Sequence, residues 1–242
     1  MGNGLVVAGD VYPALLGADG SFTGYLDPIN VTKLIITQPD PDKVERPSSM
    51  NDTLGQNLGV VYFPKSPELE FDTDNADRDI LAMMFYGTAV ALSQAAVSNA
   101  AFSGIVARLG RWVPLPNKNL SAVAVTGKTE GVDYAIDYAG GMIKTLSGGT
   151  IADGATIAGT LSANAITGFR VKGLTNTSQR LRLLLKGTNK DNGKKCRLEI
   201  DDATIAPSGG VDLMGRKYVS ATFKGTMVTL PGATEPFRYE EF

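Results

Sequence analysis

RLRLLLKGT (180–188), the turn NKDNG (189–193) and KKCRLEI (194–200) form the stretch on which the fold turns. Leu181, Leu183 and Leu185 alternate with Arg180, Arg182 and Lys186. After the turn, Cys196, Leu198 and Ile200 alternate with Lys195, Arg197 and Glu199. A period of two places one side-chain set on each face of a strand. Asn192-Gly193 between two such runs predicts a hairpin, because that pair accepts the positive φ of a tight turn. The expected sheet has one apolar face and one charged face.

Working outward, the same texture recurs. VYPALL (11–16) and FTGYL (22–26) flank Ala18-Asp19-Gly20-Ser21 and predict a hairpin. VTKLIIT (31–37) is a β-branched run. Gln38 to Asn57 follows, with three prolines and no apolar period, and reads as a long loop (about 38–58) of the functional kind. Strand character returns at 59–63 and 68–71. A single helix is predicted over about 75–86. Asp74 is the expected cap, Asp77 and Asp79 lie in the first turn, and Gly87 is the expected C′ stop. Its expected apolar face is Ile80, Leu81, Met84 and Phe85. Further short strands are predicted at 112–115, 120–126, 132–138, 142–146, 157–163, 168–174 and within 218–230. No composition break divides the chain, so residues 1–242 read as one mainly β domain.

Composition narrows the chemistry. The 242 residues hold 28 glycines, one cysteine (Cys196) and no histidine. Histidine-based triads and His-ligated metals are excluded. A lone cysteine excludes an intrachain disulfide or a CxxC site. A net charge of −2 gives no general reason for tight nucleic-acid binding. A single tryptophan, Trp112, argues against a stacking groove for sugars or bases. The start lacks a basic, apolar leader, and position 6 is Val where a myristoylation signal needs Ser or Thr. Asn30, Asn51, Asn119 and Asn176 open sequons that, without a leader, read as chance. Residues 80–107 carry no charge, but their Gly, Ser, Gln94 and Asn99 content predicts a short buried helix followed by packed apolar segments rather than a membrane span.

Near-miss motifs read as turns. Gly149–Thr156 has phosphate-loop glycines but Ala155 in the lysine place, and Gly127-Lys128-Thr129 lacks the first glycine. Asp72-x-Asp74 starts like a calcium loop, yet Ala76 and Asp77 replace a ligand and the required glycine. Asp201-Asp202 and Asp133/Asp137 are carboxylate pairs by type only. No cofactor or metal site and no enzyme activity is expected. Charge is uneven: residues 1–100 hold 13 acids and 5 bases (−8), residues 101–242 hold 12 acids and 18 bases (+6). Opposite patches on one chain suit head-to-tail contact between copies.

The order of segments resembles the major tail tube protein of long-tailed, non-contractile bacteriophages. The likeness is carried by VTKLIIT with its charged Pro-rich loop and LGQNLGVVYFPKSPELEF, by FDTDNADRDILAMMFYGTAVALSQ, by RWVPLPNKNLSAVAVTG and VDYAIDYAGGMIKTLSGGTIADGATI, and by LRLLLKGTNKDNGKKCRLEIDDATIAPSGGVDLMG with YVSATFKGTM. The resemblance implies a tail-tube-type β-sandwich or barrel with one flanking helix and no C-terminal immunoglobulin-like extension. It implies a homo-hexameric ring that stacks into a tube conducting double-stranded DNA without gripping it. It also implies tape-measure, tail-tip and tail-terminator partners, a place in the virion after synthesis in the bacterial host cytoplasm, and no stable membrane insertion. On this reading Asp40, Asp42, Lys43, Glu45, Arg46, Asn51 and Asp52 form an inter-subunit or inter-ring loop. The strands beside it, carrying Glu68 and Glu70, line the lumen. A tube subunit of another contractile injection system and a β-sandwich binding module remain alternatives.

Overall fold

The computed structural model describes residues 4–242 except Ala18. The myristoylation reading at Gly2 and the turn residue Ala18 therefore lie outside the described residues. The chain is mainly β. In order it forms β1 (Val7–Leu15), β2 (Val31–Thr37), β3 (Asp42–Pro47), a 3-10 turn (Asn51–Thr53), β4 (Asn57–Phe63), β5 (Glu68–Thr73), α1 (Arg78–Met84), β6 (Thr88–Gln94) and β7 (Val97–Val106). Then follow β8 (Trp112–Pro114), β9 (Leu120–Val125), β10 (Tyr134–Asp137), β11 (Met142–Thr145), β12 (Thr156–Ala163), β13 (Ile166–Lys172), β14 (Gln179–Asn189), β15 (Lys195–Ser208), β16 (Ala221–Met227) and β17 (Phe237–Glu241). Where composition showed no break, the chain folds as two compact units: 1–89 with 171–242, and 90–170.

The first unit is built on a seven-stranded sheet in the order β1-β14-β15-β16-β5-β2, with β17 also paired to β15. Every pairing in it is antiparallel. The predicted 180–200 hairpin is its centre: Leu183 stands opposite Ile200 and Thr188 opposite Lys195. Leu181, Leu183, Ile200 and Ala203 are fully buried. Phe71 and Phe223 face each other across β5 and β16, stacked at 5.1 Å. Burial of each ring stabilises by about 1.5–3 kcal/mol.

Helix α1 is shorter than expected, and its cap is Asp77, whose Oδ1 accepts from the N–H groups of Asp79 (3.0 Å) and Ile80 (2.9 Å). Asp74 is not the cap, because its Oδ1 accepts from Asn30 Nδ2. At the other end Tyr86, not Gly87, takes the left-handed conformation (φ 48°). The N–H of Gly87 reaches the Ala82 carbonyl and that of Tyr86 the Met83 carbonyl, which closes a Schellman motif. Gly87 is needed for another reason: a Cβ there would stand 2.4 Å from the Lys172 carbonyl oxygen. Ile80, Ala82, Met83 and Met84 are buried, while Leu81 and Phe85 are only half-buried.

Three further expectations are corrected. Phe22–Leu26 is not a strand: β1 pairs β14, and one bridge joins Leu16 to Phe22. Residues 88–106, expected after the helix as packed apolar segments, form β6 and β7, in which only Phe102 is buried. No helix among the described residues is long and apolar enough to cross a membrane. Residues 38–58 are not a structureless loop, since they contain β3, the 3-10 turn and the start of β4.

The second unit holds two three-stranded sheets, β10-β11-β8 and β7-β12-β9, around its own core of Phe102, Leu120, Tyr134, Ile143, Ile157 and Leu161. β6 and β13 pair as a ribbon at its start and end. Its loops are tied by Asp133. That carboxylate accepts from the N–H of Thr129 and from the N–H and hydroxyl of Thr150. These bonds favour the charged form and hold its pKa down at about 2.

Candidate functional site

The most unusual surface is the arm formed by β3 and β4. The two strands pair antiparallel, with Val44 opposite Val61 and Asp42 opposite Phe63. They extend beyond the Thr37–Glu68 end of the β2–β5 ladder. Every residue of β3 and β4 is exposed. The arm owes its shape to its two ends. At the root, Gln38 Nε2 donates to the Lys65 carbonyl (2.8 Å) and Lys65 Nζ pairs with Asp42 (2.7 Å). Pro39, Pro41, Pro64 and Pro67 restrict the four connecting positions on either side. At the tip, the Ser48 N–H donates to the Gln56 carbonyl, the Gly55 N–H donates to that of Ser48, and the hydroxyls of Ser48 and Thr53 share a hydrogen bond. Gly55 supplies the positive φ (80°) this turn requires.

The predicted loop residues all fall on this arm. Asp40 precedes β3, Asp42, Lys43, Glu45 and Arg46 lie in it, and Asn51 and Asp52 form the tip. Lys43 pairs with Glu45, and that hydrogen bond raises the lysine pKa. Both are surface groups, so the pair adds little stability. Sequence reading missed the apolar side of the arm. Val44, Leu58, Val61, Tyr62 and Phe63 are each at least half exposed, and Leu54 at the tip is 74% exposed. The sequence signal was NLGVVYF itself, seven residues of strand character without a charge. Such a segment, uncovered, is an aggregation hazard, and a surface of this kind marks an interaction site. An isolated two-stranded hairpin also has marginal stability.

The expected lumen residues sit elsewhere. Along β5, Leu69, Phe71 and Thr73 are buried while Glu68 is exposed and Glu70 half-buried, so the acids share the opposite face. Glu70 lies between Lys33 (2.5 Å) and Lys224 (2.9 Å), one from each neighbouring strand. The Lys33 hydrogen bond first, then that of Lys224, lowers its pKa. Glu70 is therefore a compensated charge. With Asp72 on the same face, the patch of Lys33, Lys224, Glu68, Glu70 and Asp72 carries one net negative charge.

Asp201-Asp202, paired only by type in the sequence, proves to be a structural cluster. A bulge sets these two residues of β15 opposite the single Arg182 of β14. Ile200 and Ala203 both stay in the core, so both aspartates emerge on the other face. There Arg180 grips Asp202 through two bonds (3.2 and 2.5 Å). Arg182 reaches Asp201 (2.6 Å) and Glu199 (2.7 Å), and Arg238 closes on Asp201 (3.0 Å). For Glu199, burial raises the pKa, but the Arg182 hydrogen bond and the fields of Arg197, Arg182 and Arg238 outweigh it, and the carboxyl titrates low. Both aspartates are committed to guanidinium partners, an arrangement suited to holding strands together.

A second candidate surface is an apolar cleft of about 620 Å³ in the same unit, lined by β1 and β2 with Leu5, Leu185, Leu198, Phe237 and Tyr239. β1 and β2 are the two ends of the sheet order; the outer edge of β1 is taken at Val11 and Pro13, whose carbonyls accept from the Ile29 and Leu26 N–H groups, and is open only ahead of them. Lys33 is the one charged residue of its lining. Among the described residues no group of three or more His, Cys, Asp and Glu side chains could hold a metal ion.

The family model described as "Protein of unknown function UCP028589" matches residues 5–233. No curated protein matches the chain.

Proposed function

We propose for this chain, which belongs to that family of unknown function, a structural role: a subunit of a phage tail tube. In this reading six copies form a ring, and rings stack into a hollow tube that conducts double-stranded DNA during genome ejection. The tape-measure, tail-tip and tail-terminator proteins are its partners, and the virion is its place. The β3–β4 arm carries the proposal. It is a braced ribbon with no buried residue in either strand, and its apolar strand gains cover only from another chain. A mainly β subunit with a free edge at β2 and a partly open one at β1 suits assembly in which copies cover one another's edges. The compensation of Glu70 by Lys33 and Lys224 suits a wall that neither grips nor strongly repels phosphate.

Electron microscopy of the concentrated protein, alone and with tail-tip complex, tests the reading. Hollow rings or tubes of uniform diameter are expected. Monomers under both conditions would overturn it. Replacing residues 42–63 by a short Gly-Ser link is expected to leave a folded subunit that no longer polymerises. Tubes of normal length from that deletion would remove the arm from the assembly contact.

A further inference from the structure

We propose that the apolar cleft between β1 and β2 is the receptor for the arm of a second copy of this chain. The assignment rests on the tube reading and names the contact that reading leaves open.

Four observations support it. First, the two surfaces match in chemistry. β4 has no charged residue in its seven positions, and Lys33 is the one charge lining the cleft. Apolar strand against apolar cleft leaves no buried charge without a partner. Second, both have backbone to share. β3 occupies one edge of β4 and leaves the other free, while β2 ends the sheet order and β1 keeps an open edge ahead of Val11, where residues 26–29 begin to cover it. Adding an extended strand to such an edge supplies ladder hydrogen bonds, and side-chain pockets supply specificity. Third, no residue of the arm lines the cleft of its own copy. The arm is rooted at the Thr37–Glu68 end of the β2–β5 ladder by the Gln38–Lys65 bond and the Lys65–Asp42 pair, whereas the cleft lies along Val31–Ile36. Fourth, the backbone before β1 is fixed at the β14–β15 turn, with Leu5 forming part of the cleft wall rather than filling it. The Gly4 N–H donates to Asp191, the Val6 N–H to Asn189 Oδ1, and Asn189 Nδ2 to the Gly4 carbonyl. These bonds direct residues 4–6 to the β14–β15 turn.

The volume is also adequate. A cavity of about 620 Å³ lies within the ~300–1,000 Å³ range of sites that enclose a drug-sized apolar ligand, comparable to a few side chains. Val61 and Phe63, which share one face of β4 with Val44 of β3, form a group of that kind.

Cysteine cross-linking of the full chain tests the contact. The native Cys196 is buried and serves as the silent background. Chains carrying Val61→Cys are mixed, under assembling conditions, with chains carrying Val7→Cys, Val31→Cys or Leu34→Cys, then oxidised. A band at twice the chain mass is expected from at least one mixture. None is expected from Val61→Cys mixed with Thr126→Cys, an exposed position in the second unit. Rings or tubes that form without any cleft link would overturn the receptor assignment and leave the tube reading standing. Absence of rings and tubes under every condition would overturn both. A link within one chain carrying both Val61→Cys and Val31→Cys, at dilution, would show the arm folding home. That result would overturn the second-copy assignment.

Discussion

The β14–β15 hairpin and the β3–β4 arm are the same kind of object in opposite surroundings. Both are antiparallel pairs closed by a turn with a positive-φ glycine, Gly193 in one and Gly55 in the other. In β14–β15 one face sinks Leu181, Leu183, Ile200 and Ala203 fully into the core, and the other carries an arginine–carboxylate layer. In the arm neither strand has a buried residue. Backbone pairing alone therefore does not decide where a hairpin belongs. A second layer does, and the arm has none among the described residues. The contrast turns an oddity of the monomer into an argument about assembly.

The largest effect that would sharpen this contrast is expected at Asp202. It is fully buried and held by Arg180. Asp202→Ala leaves the guanidinium without its partner, at a cost of about 3–5 kcal/mol. Urea denaturation measures this, and a loss under ~1 kcal/mol would mean that the arginine layer is a solvated decoration. Next is the turn. Gly193 has φ 77° with open space around it, so Gly193→Ala adds no clash and costs only conformation, roughly 1–2 kcal/mol.

Acid should separate the two hairpins as well. The folded-state pKa of Glu199 is depressed, so its contribution is present above the unfolded value and lost as pH falls through the folded one. Amide exchange in β14 and β15 is expected to quicken, relative to a Glu199→Gln reference, as the solution moves below the ordinary carboxylate range. The arm carries no ion pair with a buried carboxylate, so its exchange should follow only the intrinsic pH dependence.

The sequence made the first hairpin legible because its two periods coincide: apolar alternation and Asn-Gly both report one local geometry. It misread the arm because prolines and charges in QPDPDKVERP imitate a loop, and the fact that NLGVVYF pairs with DKVERP is written in neither segment. The same limit applies to the helix. Asp74 and Asp77 are equivalent as cap residues, and the choice fell to Asn30, 44 residues away, which engages Asp74. At Asp201-Asp202 the types were visible but the bulge was not, so the pair looked like loose acids rather than one face of a clamp. Nor does composition change at 90 or 170, because both units use the same strand chemistry.

The smallest stability effect is the one that most sharply tests the comparison. Val61 is 55% exposed and lies on a ribbon with no second layer. Val61→Ser removes apolar surface that the lone subunit never buries, so the monomer's unfolding free energy should stay within about 0.5 kcal/mol of wild type. The same change at Leu183, which is fully buried in β14, would remove core contacts and insert a hydroxyl without a partner. Assembly should respond in the reverse order to monomer stability. If β4 is covered by another chain, Val61→Ser strips about two methyl groups from each contact. At ~0.8 kcal/mol per buried carbon, one contact weakens roughly tenfold. Repeated at every subunit of a ring, that loss should raise the concentration needed for polymerisation well beyond the single-contact factor. Sedimentation of wild type and variant at matched concentrations reads this directly. A variant that polymerises like wild type would show that the exposed valine faces solvent in the assembly too, and the two hairpins would then differ only in how much water each one tolerates.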